Sequence, residues 1–457
     1  MTPSSTVVKC LELLQEVRER TLALTADLDD DQLIGPRLSI VNPLRWEIGH
    51  VAWFQEYWAL RHLNHREPML DGGDTLYDSA RVPHETRWDL PLPTNRETVA
   101  YMQRVLDQVL DLYGQGGNRD NLSDDAAYFL SLVLLHEDMH AEAITYTRQT
   151  LGYAAPRFKV VDESARPHSK EFANREVRNH EPLRDELGDA LVPGGTFVLG
   201  STHGKRFVFD NEMSAHELEV RSFAISRTAV TNAQYAAFVD DGGYDRQTLW
   251  CDAGWHWREN ADAKHPVYWR FTEGEWWCRK FDEMVELEDY LPVLHINWYE
   301  ADAFCRWAGR RLPTEAEWEM AASAEPTRDG NGITAGKRPF PWGDEAPTPD
   351  RANLDWHEMG CLDVRSLPEG DSAFGCRQMI GNVWEWAASA FEPYPGFTAG
   401  PYKEYSAPWF GDHKILRGGC WATRSHLVHN NYRNFYTPER RDVWAGVRTC
   451  ALSEPCG

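Results

Sequence analysis

The chain changes texture near residue 190, and that change restricts its fold more than any other property of the sequence. Before it, residues 5–30, 43–64, 95–115 and 124–150 carry apolar side chains at helical intervals, separated by polar or Gly- and Pro-bearing loops. Four such stretches predict a helical bundle. After it, short β-like pieces, beginning with Val192-Pro-Gly-Gly-Thr-Phe-Val-Leu-Gly200, alternate with Gly, Pro, Asn and Asp. The charged, apolar-poor stretch between them reads as a linker. The expected organisation is a bundle over residues 1–155, a linker over 156–188 and an α+β domain over 189–457.

The last bundle stretch contains Leu135-His136-Glu-Asp-Met-His140-Ala-Glu142. Residues four apart lie one above the other on a helix, so both imidazoles point the same way and make half of a metal site. The run also matches the His-Glu-x-x-His pattern of zinc hydrolases, with Glu137 in the place of the general base. No third histidine follows before Arg157, and the next candidate lies upstream, at His50 in Trp46-Glu-Ile-Gly-His50-Val-Ala-Trp53. Alone on an apolar face, His50 reads more readily as a satisfied core histidine than as a ligand. Two bundle helices that turn histidines toward the axis can instead build a three-histidine site with open coordination positions. Imidazole suits iron, zinc and copper alike, so ligand type does not choose the metal.

The charge balance excludes several partners. A net charge of −24 argues against a nucleic-acid backbone or an anionic membrane. No apolar run reaches membrane length and the N-terminus has no signal-peptide pattern, so a cytoplasmic protein is expected. The nine cysteines are scattered without Cys-x-x-Cys, which fits reduced thiols. Most of the 20 tryptophans lie after residue 245, predicting an aromatic-packed, loop-rich second domain.

Four ordered blocks in that half carry a family resemblance: Arg311-Leu-Pro-Thr-Glu-Ala-Glu-Trp318-Glu, Gly381-Asn-Val-Trp-Glu-Trp386, Leu416-Arg-Gly-Gly-Cys420-Trp421 and Ala445-Gly-Val-Arg448. Together they resemble the formylglycine-generating-enzyme-like fold, a C-type-lectin-like α+β domain, over about residues 188–452. The N-terminal part is similar to DinB-like metal-binding bundles. The combination resembles the ergothioneine sulfoxide synthase family, which includes selenoneine synthases. These enzymes join a chalcogen to C2 of the imidazole of hercynine, using non-haem Fe(II) and O2. The resemblance implies iron ligands at His50, His136 and His140. Formylglycine-generating enzymes work through a closely spaced cysteine pair, whereas Cys420 and Cys450 are far apart here. The second domain is therefore expected to act as a lid and substrate wall, with the active site at its interface with the bundle.

The same resemblance supplies further candidates. A proton-donating phenol is expected among Tyr394, Tyr402 and Tyr405. Asn434 and Phe435, followed by Tyr436 and Arg440, match the block that recognises hercynine, whose trimethylammonium group favours aromatic faces and oxygen acceptors. The branch using γ-glutamylcysteine carries arginines in the loop that here spans Tyr77 to Trp88. In this chain His84 replaces one, Arg87 keeps the other, Tyr436 stands for an aspartate, and Met139 for a glutamine. The branch using cysteine has a Tyr-Tyr pair where Ser79-Ala80 stand. These departures favour a neutral donor such as a selenosugar, with a thiol donor as the alternative. A non-catalytic ligand-binding or thiol-sensing module is the alternative of another class.

Overall fold

The computed structural model describes residues 3–114, 123–158, 188–202, 204 and 206–452. The chain divides into two compact units, Met1–Val160 with Gly204–Phe207, and Val161–His203 with Val208–Gly457. Most of the stretch expected as a linker, residues 159–187, lies outside the described residues. No described helix is long and apolar enough to cross a membrane.

The first unit is a bundle of four long helices with short ones between them. Helix α1 (Pro3–Ala23) begins on a proline, which suits a first turn that needs no N–H partner. Asp29 then caps the short α2 (Asp30–Ile34). Helix α3 (Leu44–Gln55) buries every residue except Arg45, as expected of a helix enclosed on all sides. It does not run evenly to residue 64. Beyond Gln55 it widens into a π-helical segment, Glu56–His62. The buried Glu56 carboxylate accepts there from the Tyr101 hydroxyl at 2.5 Å and the Met69 amide at 3.0 Å.

The short α4 (Gly73–Tyr77) packs on α3. Helix α5 (Asn95–Gly114) is amphipathic and buries Thr98, Tyr101, Met102, Val105, Leu106, Val109 and Tyr113 at intervals of three and four. Helix α6 (Asp124–Leu151) starts on the Ser123 side chain and ends at Gly152 with φ of 67°, the left-handed conformation that closes helices. Helix α1 lies along α6, and α3 packs against both α5 and α6. This places the middle of α3, with His50, against the middle of α6.

The second unit has little regular structure for its size. One four-stranded sheet runs in the order Asp189–Val192, Phe223–Ser226, Cys450–Ala451, Arg310–Arg311. Another runs Asn434–Tyr436, Lys414–Arg417, Trp384–Ala390, Ala445–Gly446, its last pair parallel. Among the described residues four α-helices accompany them: α7 (Asn232–Asp240), α8 (Asp252–Asn260), α9 (Trp298–Trp307) and α10 (Glu315–Ser323). Capping boxes open α7, α9 and α10, from Thr231, Asn297 and Thr314.

The four family blocks meet in this unit's core. Glu385 accepts from the Trp318 indole at 2.7 Å and from the Arg448 guanidinium at 2.8 Å. Glu315 accepts from Arg417 and Arg433, at 2.9 and 2.7 Å, and Glu319 accepts from Arg417 at 2.5 Å. All of these side chains are buried. Within the unit the blocks thus form a paired polar lattice that orders long loops, because buried charges need partners. Gly418 has φ of 98°, and a Cβ there would sit 2.6 Å from the Met379 carbonyl oxygen, so the Arg-Gly-Gly turn requires glycine.

Candidate metal centre

Three imidazoles converge in the bundle. His136 and His140 present their Nε2 atoms 3.2 Å apart from one face of α6. The His50 ring on α3 lies with its centroid 5.1 Å from that of His136 and 4.9 Å from that of His140. One ligand atom from each lies within 4.8 Å of the others. Two imidazoles at right angles around a metal, with bonds of about 2.1 Å, hold their nitrogens about 3 Å apart. The 3.2 Å spacing therefore fits a common ion without rearranging α6. It is the only group of three or more potential His, Cys, Asp or Glu ligands of this kind among the described residues.

Each ring has its own support. His50 Nδ1 lies 2.7 Å from the Tyr77 carbonyl oxygen, which can only accept, so Nδ1 carries the proton and Nε2 keeps its lone pair. The His50 ring also stacks on Trp46, at 4.8 Å and 9°. His136 lies flat on Phe54, at 3.6 Å and 7°. His140 Nδ1 lies 2.5 Å from Glu47 Oε1, and the carboxylate again fixes the proton on Nδ1.

Burial, and secondarily the neighbouring His140, pushes the His50 imidazole down to about 3 and holds His136 well below its usual value. Both stay neutral near pH 7, the form a metal requires. Burial would raise the Glu47 carboxyl, but its interactions with His140 and Asn42 outweigh that and hold it below the usual carboxylate range. His50 and His136 are buried, whereas the His140 side chain keeps 19 % exposure, so solvent reaches the cluster from the His140 side.

Gly49 makes this arrangement possible. A Cβ there would lie 2.4 Å from ring carbons of the buried Tyr77, whose carbonyl orients His50. Gly49→Ala is expected to cost about 1–3 kcal/mol by overpacking and to loosen bound metal. Thermal unfolding and metal content check both; wild-type values for the two would show that Tyr77 can move without consequence.

Glu137, the base of a hydrolase reading, is turned away from this role. Its two oxygens accept from Arg18 Nε and Nη2 at 2.8 and 2.9 Å, with both side chains about 1 % exposed. Arg18 also bonds Gln55 at 2.8 Å and the Met102 carbonyl, tying four helical segments together. Glu137 is a structural anion of the core.

The loop candidates are held by contacts within the bundle and its loop. Arg87 is buried; its guanidinium lies 3.8 Å from the Trp46 ring centroid and donates to Asn42 Oδ1 at 2.6 Å and the Val82 carbonyl at 3.3 Å. His84 Nε2 donates to the Val41 carbonyl at 2.7 Å. Both side chains are held by neutral oxygens of the bundle and its loop. Met139 is half-buried beside His140. Asn42 and Glu47, which the motif reading missed, complete the support of His140. Their signal was faint: a lone acid three residues before His50, and an asparagine that meets Arg87, 45 residues later in the chain.

In the second unit, Tyr394 is a core residue. Its hydroxyl donates to Glu315 at 3.0 Å, the Arg433 guanidinium lies 4.1 Å from its ring centroid, and burial pushes its phenol well above the usual range. Tyr402 and Tyr405 are half-buried, with ring centroids 6.0 Å apart. The Phe435 ring stacks on Phe391 at 3.9 Å and 9°, which uses one face expected for a ligand cation. Asn434 Oδ1 accepts from the Phe435 amide at 2.8 Å. Arg440 pairs with Asp442 at 2.7 Å and lies 4.9 Å from the Tyr436 ring centroid. Cys420 and Cys450 are both buried.

Residues 13–144 match the DinB superfamily, and residues 175–452 match the sulfatase-modifying factor enzyme 1-like domain. Over 457 aligned residues the chain is 36 % identical to the hercynine oxygenase of Mycolicibacterium thermoresistibile, covering 95 % of this chain and 93 % of the relative. It is 35 % identical to the hercynine oxygenase of Mycolicibacterium smegmatis, covering 94 % and 96 %. Likeness to the formylglycine-generating enzyme of Streptomyces coelicolor, 32 % identical, covers 55 % of this chain and 83 % of that protein. The chain belongs to the hercynine oxygenase family. The family expectation drawn from the sequence blocks therefore holds.

Proposed function

We propose that the protein is an O2-dependent non-haem Fe(II) enzyme that forms a carbon–chalcogen bond at C2 of the hercynine imidazole, with a neutral selenosugar as donor. The observation that carries this reading is the cluster of His50, His136 and His140, built from two helices and oriented by outer partners. Three neutral imidazoles leave coordination positions open, where substrate, donor and oxygen can meet. Iron held there supplies the one-electron chemistry through which O2 reacts with closed-shell molecules. The hydrogens on C2 and on the chalcogen leave as one carbon–chalcogen bond forms and the chalcogen gains one oxygen atom, a four-electron oxidation in which the second oxygen atom of O2 leaves with the two hydrogens as water.

The chain's own residues set the donor preference. Arg87 donates to Asn42 and the Val82 carbonyl and His84 lies against the Val41 carbonyl, contacts that hold both side chains in the loop and weaken their reach toward a donor with two carboxylates. A sugar needs hydroxyl partners and stacking surfaces instead. Asn434 and Tyr436 are half-buried candidates for hercynine, and Tyr402 and Tyr405 for the phenolic proton donor. The relatives' name, hercynine oxygenase, supports the acceptor substrate and leaves the donor to experiment.

The test is a competition. Purified protein with Fe(II), O2 and hercynine is offered a 1-seleno-sugar, γ-glutamylcysteine or cysteine, and products are followed by mass spectrometry. Carbon–selenium product is expected to form fastest. Faster carbon–sulfur product from either thiol would make the protein an ergothioneine-type synthase.

A further inference from the structure

We propose that Arg87, Asn42 and Glu47 form a relay that orients His140 at the metal centre, making Arg87 a positioning residue for the metal and not a binder of the donor. The proposal rests on the reading that the three histidines hold iron. The contacts run in one line. Arg87 Nη1 donates to Asn42 Oδ1 at 2.6 Å, Asn42 Nδ2 donates to Glu47 Oε2 at 2.7 Å, and His140 Nδ1 donates to Glu47 Oε1 at 2.5 Å.

The polarity of the line is set by chemistry. A guanidinium only donates, so the asparagine oxygen must face Arg87 and its NH2 must face Glu47. An ionised carboxylate only accepts, so its second oxygen takes the imidazole proton. The amide therefore cannot flip without losing a bond at each end, and the carboxylate cannot rotate without losing Asn42 or His140. His140 Nε2 is left with its lone pair aimed at His136 Nε2, 3.2 Å away.

Arg87 is itself held rigidly enough to anchor the line. It is 8 % exposed, bonds the Val82 carbonyl, and lies against the Trp46 ring, whose stack with His50 supports a second ligand. His140 is the least enclosed of the three histidines, so it has the most orientation to gain from outside. Outer partners of metal-bound histidines commonly set affinity by about 10- to 100-fold. A carboxylate donor reaching for Arg87 would have to displace Asn42 and lift the guanidinium from Trp46.

The experiment compares wild type with Glu47→Gln, Asn42→Ala, Arg87→Met and Arg87→Lys, all checked for folding by circular dichroism and thermal unfolding. The rate of Fe(II) loss to a chelator is expected to rise about 10- to 100-fold in Glu47→Gln and less, in the same direction, in Asn42→Ala and Arg87→Met. Arg87→Lys should recover part of the loss, since an ammonium can still donate to Asn42. The electron paramagnetic resonance spectrum of the nitric-oxide-treated iron protein should change in each variant that releases iron faster, while the donor KM stays put. Wild-type iron release and spectrum in folded Asn42→Ala and Arg87→Met, with a raised donor KM in Arg87→Met, would overturn the relay and return Arg87 to the donor. A wild-type protein that takes up no iron would instead remove the functional reading, and the relay with it.

Discussion

His136→Ala is expected to lose bound iron and turnover together, with iron affinity falling more than about 100-fold, beyond what the loss of an outer partner costs. His136 contacts both other ligands: its Nε2 faces that of His140, and its ring centroid lies 5.1 Å from that of His50. Removing it leaves two imidazoles on different helices. His50→Ala should behave similarly, because it leaves only the pair on α6. Metal analysis and single-turnover assays on both variants check this. The result also separates an enzyme from a ligand-binding module. If wild type bound hercynine without metal, and His136→Ala kept that affinity, the catalytic reading would fail. The fold should survive the substitution, since the ring packs on Phe54 at the metal face.

The second large effect is on stability. Glu137→Gln should destabilise the bundle by about 3–5 kcal/mol, the cost of leaving one member of a buried ion pair uncompensated. Arg18 and Glu137 are each about 1 % exposed and bonded at two points, so no water stands ready to replace the lost charge. Because the chain has two compact units, the bundle's own transition should be followed in urea, and not a single global midpoint. The double variant Arg18→Met with Glu137→Leu should recover much of the loss, as apolar pairs of similar volume often do. A hydrolase would behave otherwise: Glu137→Gln would keep the midpoint and abolish amide cleavage. An unchanged midpoint with loss of such an activity would restore that reading.

The two histidines on α6 were legible because their relation is local. A gap of four residues on an uninterrupted helix sets direction without any knowledge of the partner helix. The same holds for the change from helical to strand-and-turn texture near residue 190. The four blocks of the second half were legible as a resemblance, yet what they do is structural: Glu385, Arg417 and Arg448 pair within the core. Tyr394 belongs to that core as well, which no local pattern announces.

Arg87 shows where local reading stops. In sequence only the family resemblance gives it a role, as a retained donor-binding arginine of the loop that spans Tyr77 to Trp88. Its partners, Asn42 and Trp46, lie about 40 residues earlier, and only the packing of that loop against α3 brings them within reach. Sequence by itself determined a helical bundle carrying a paired-histidine face, a second unit of another texture, and the family. The family resemblance grouped His50 with the pair, and tertiary structure alone decided how its ring meets theirs, that Glu137 serves Arg18, and that Arg87 points inward. The reason is that helix period is a property of neighbouring residues, whereas the partner of a buried charge is chosen by whichever distant group folding places beside it.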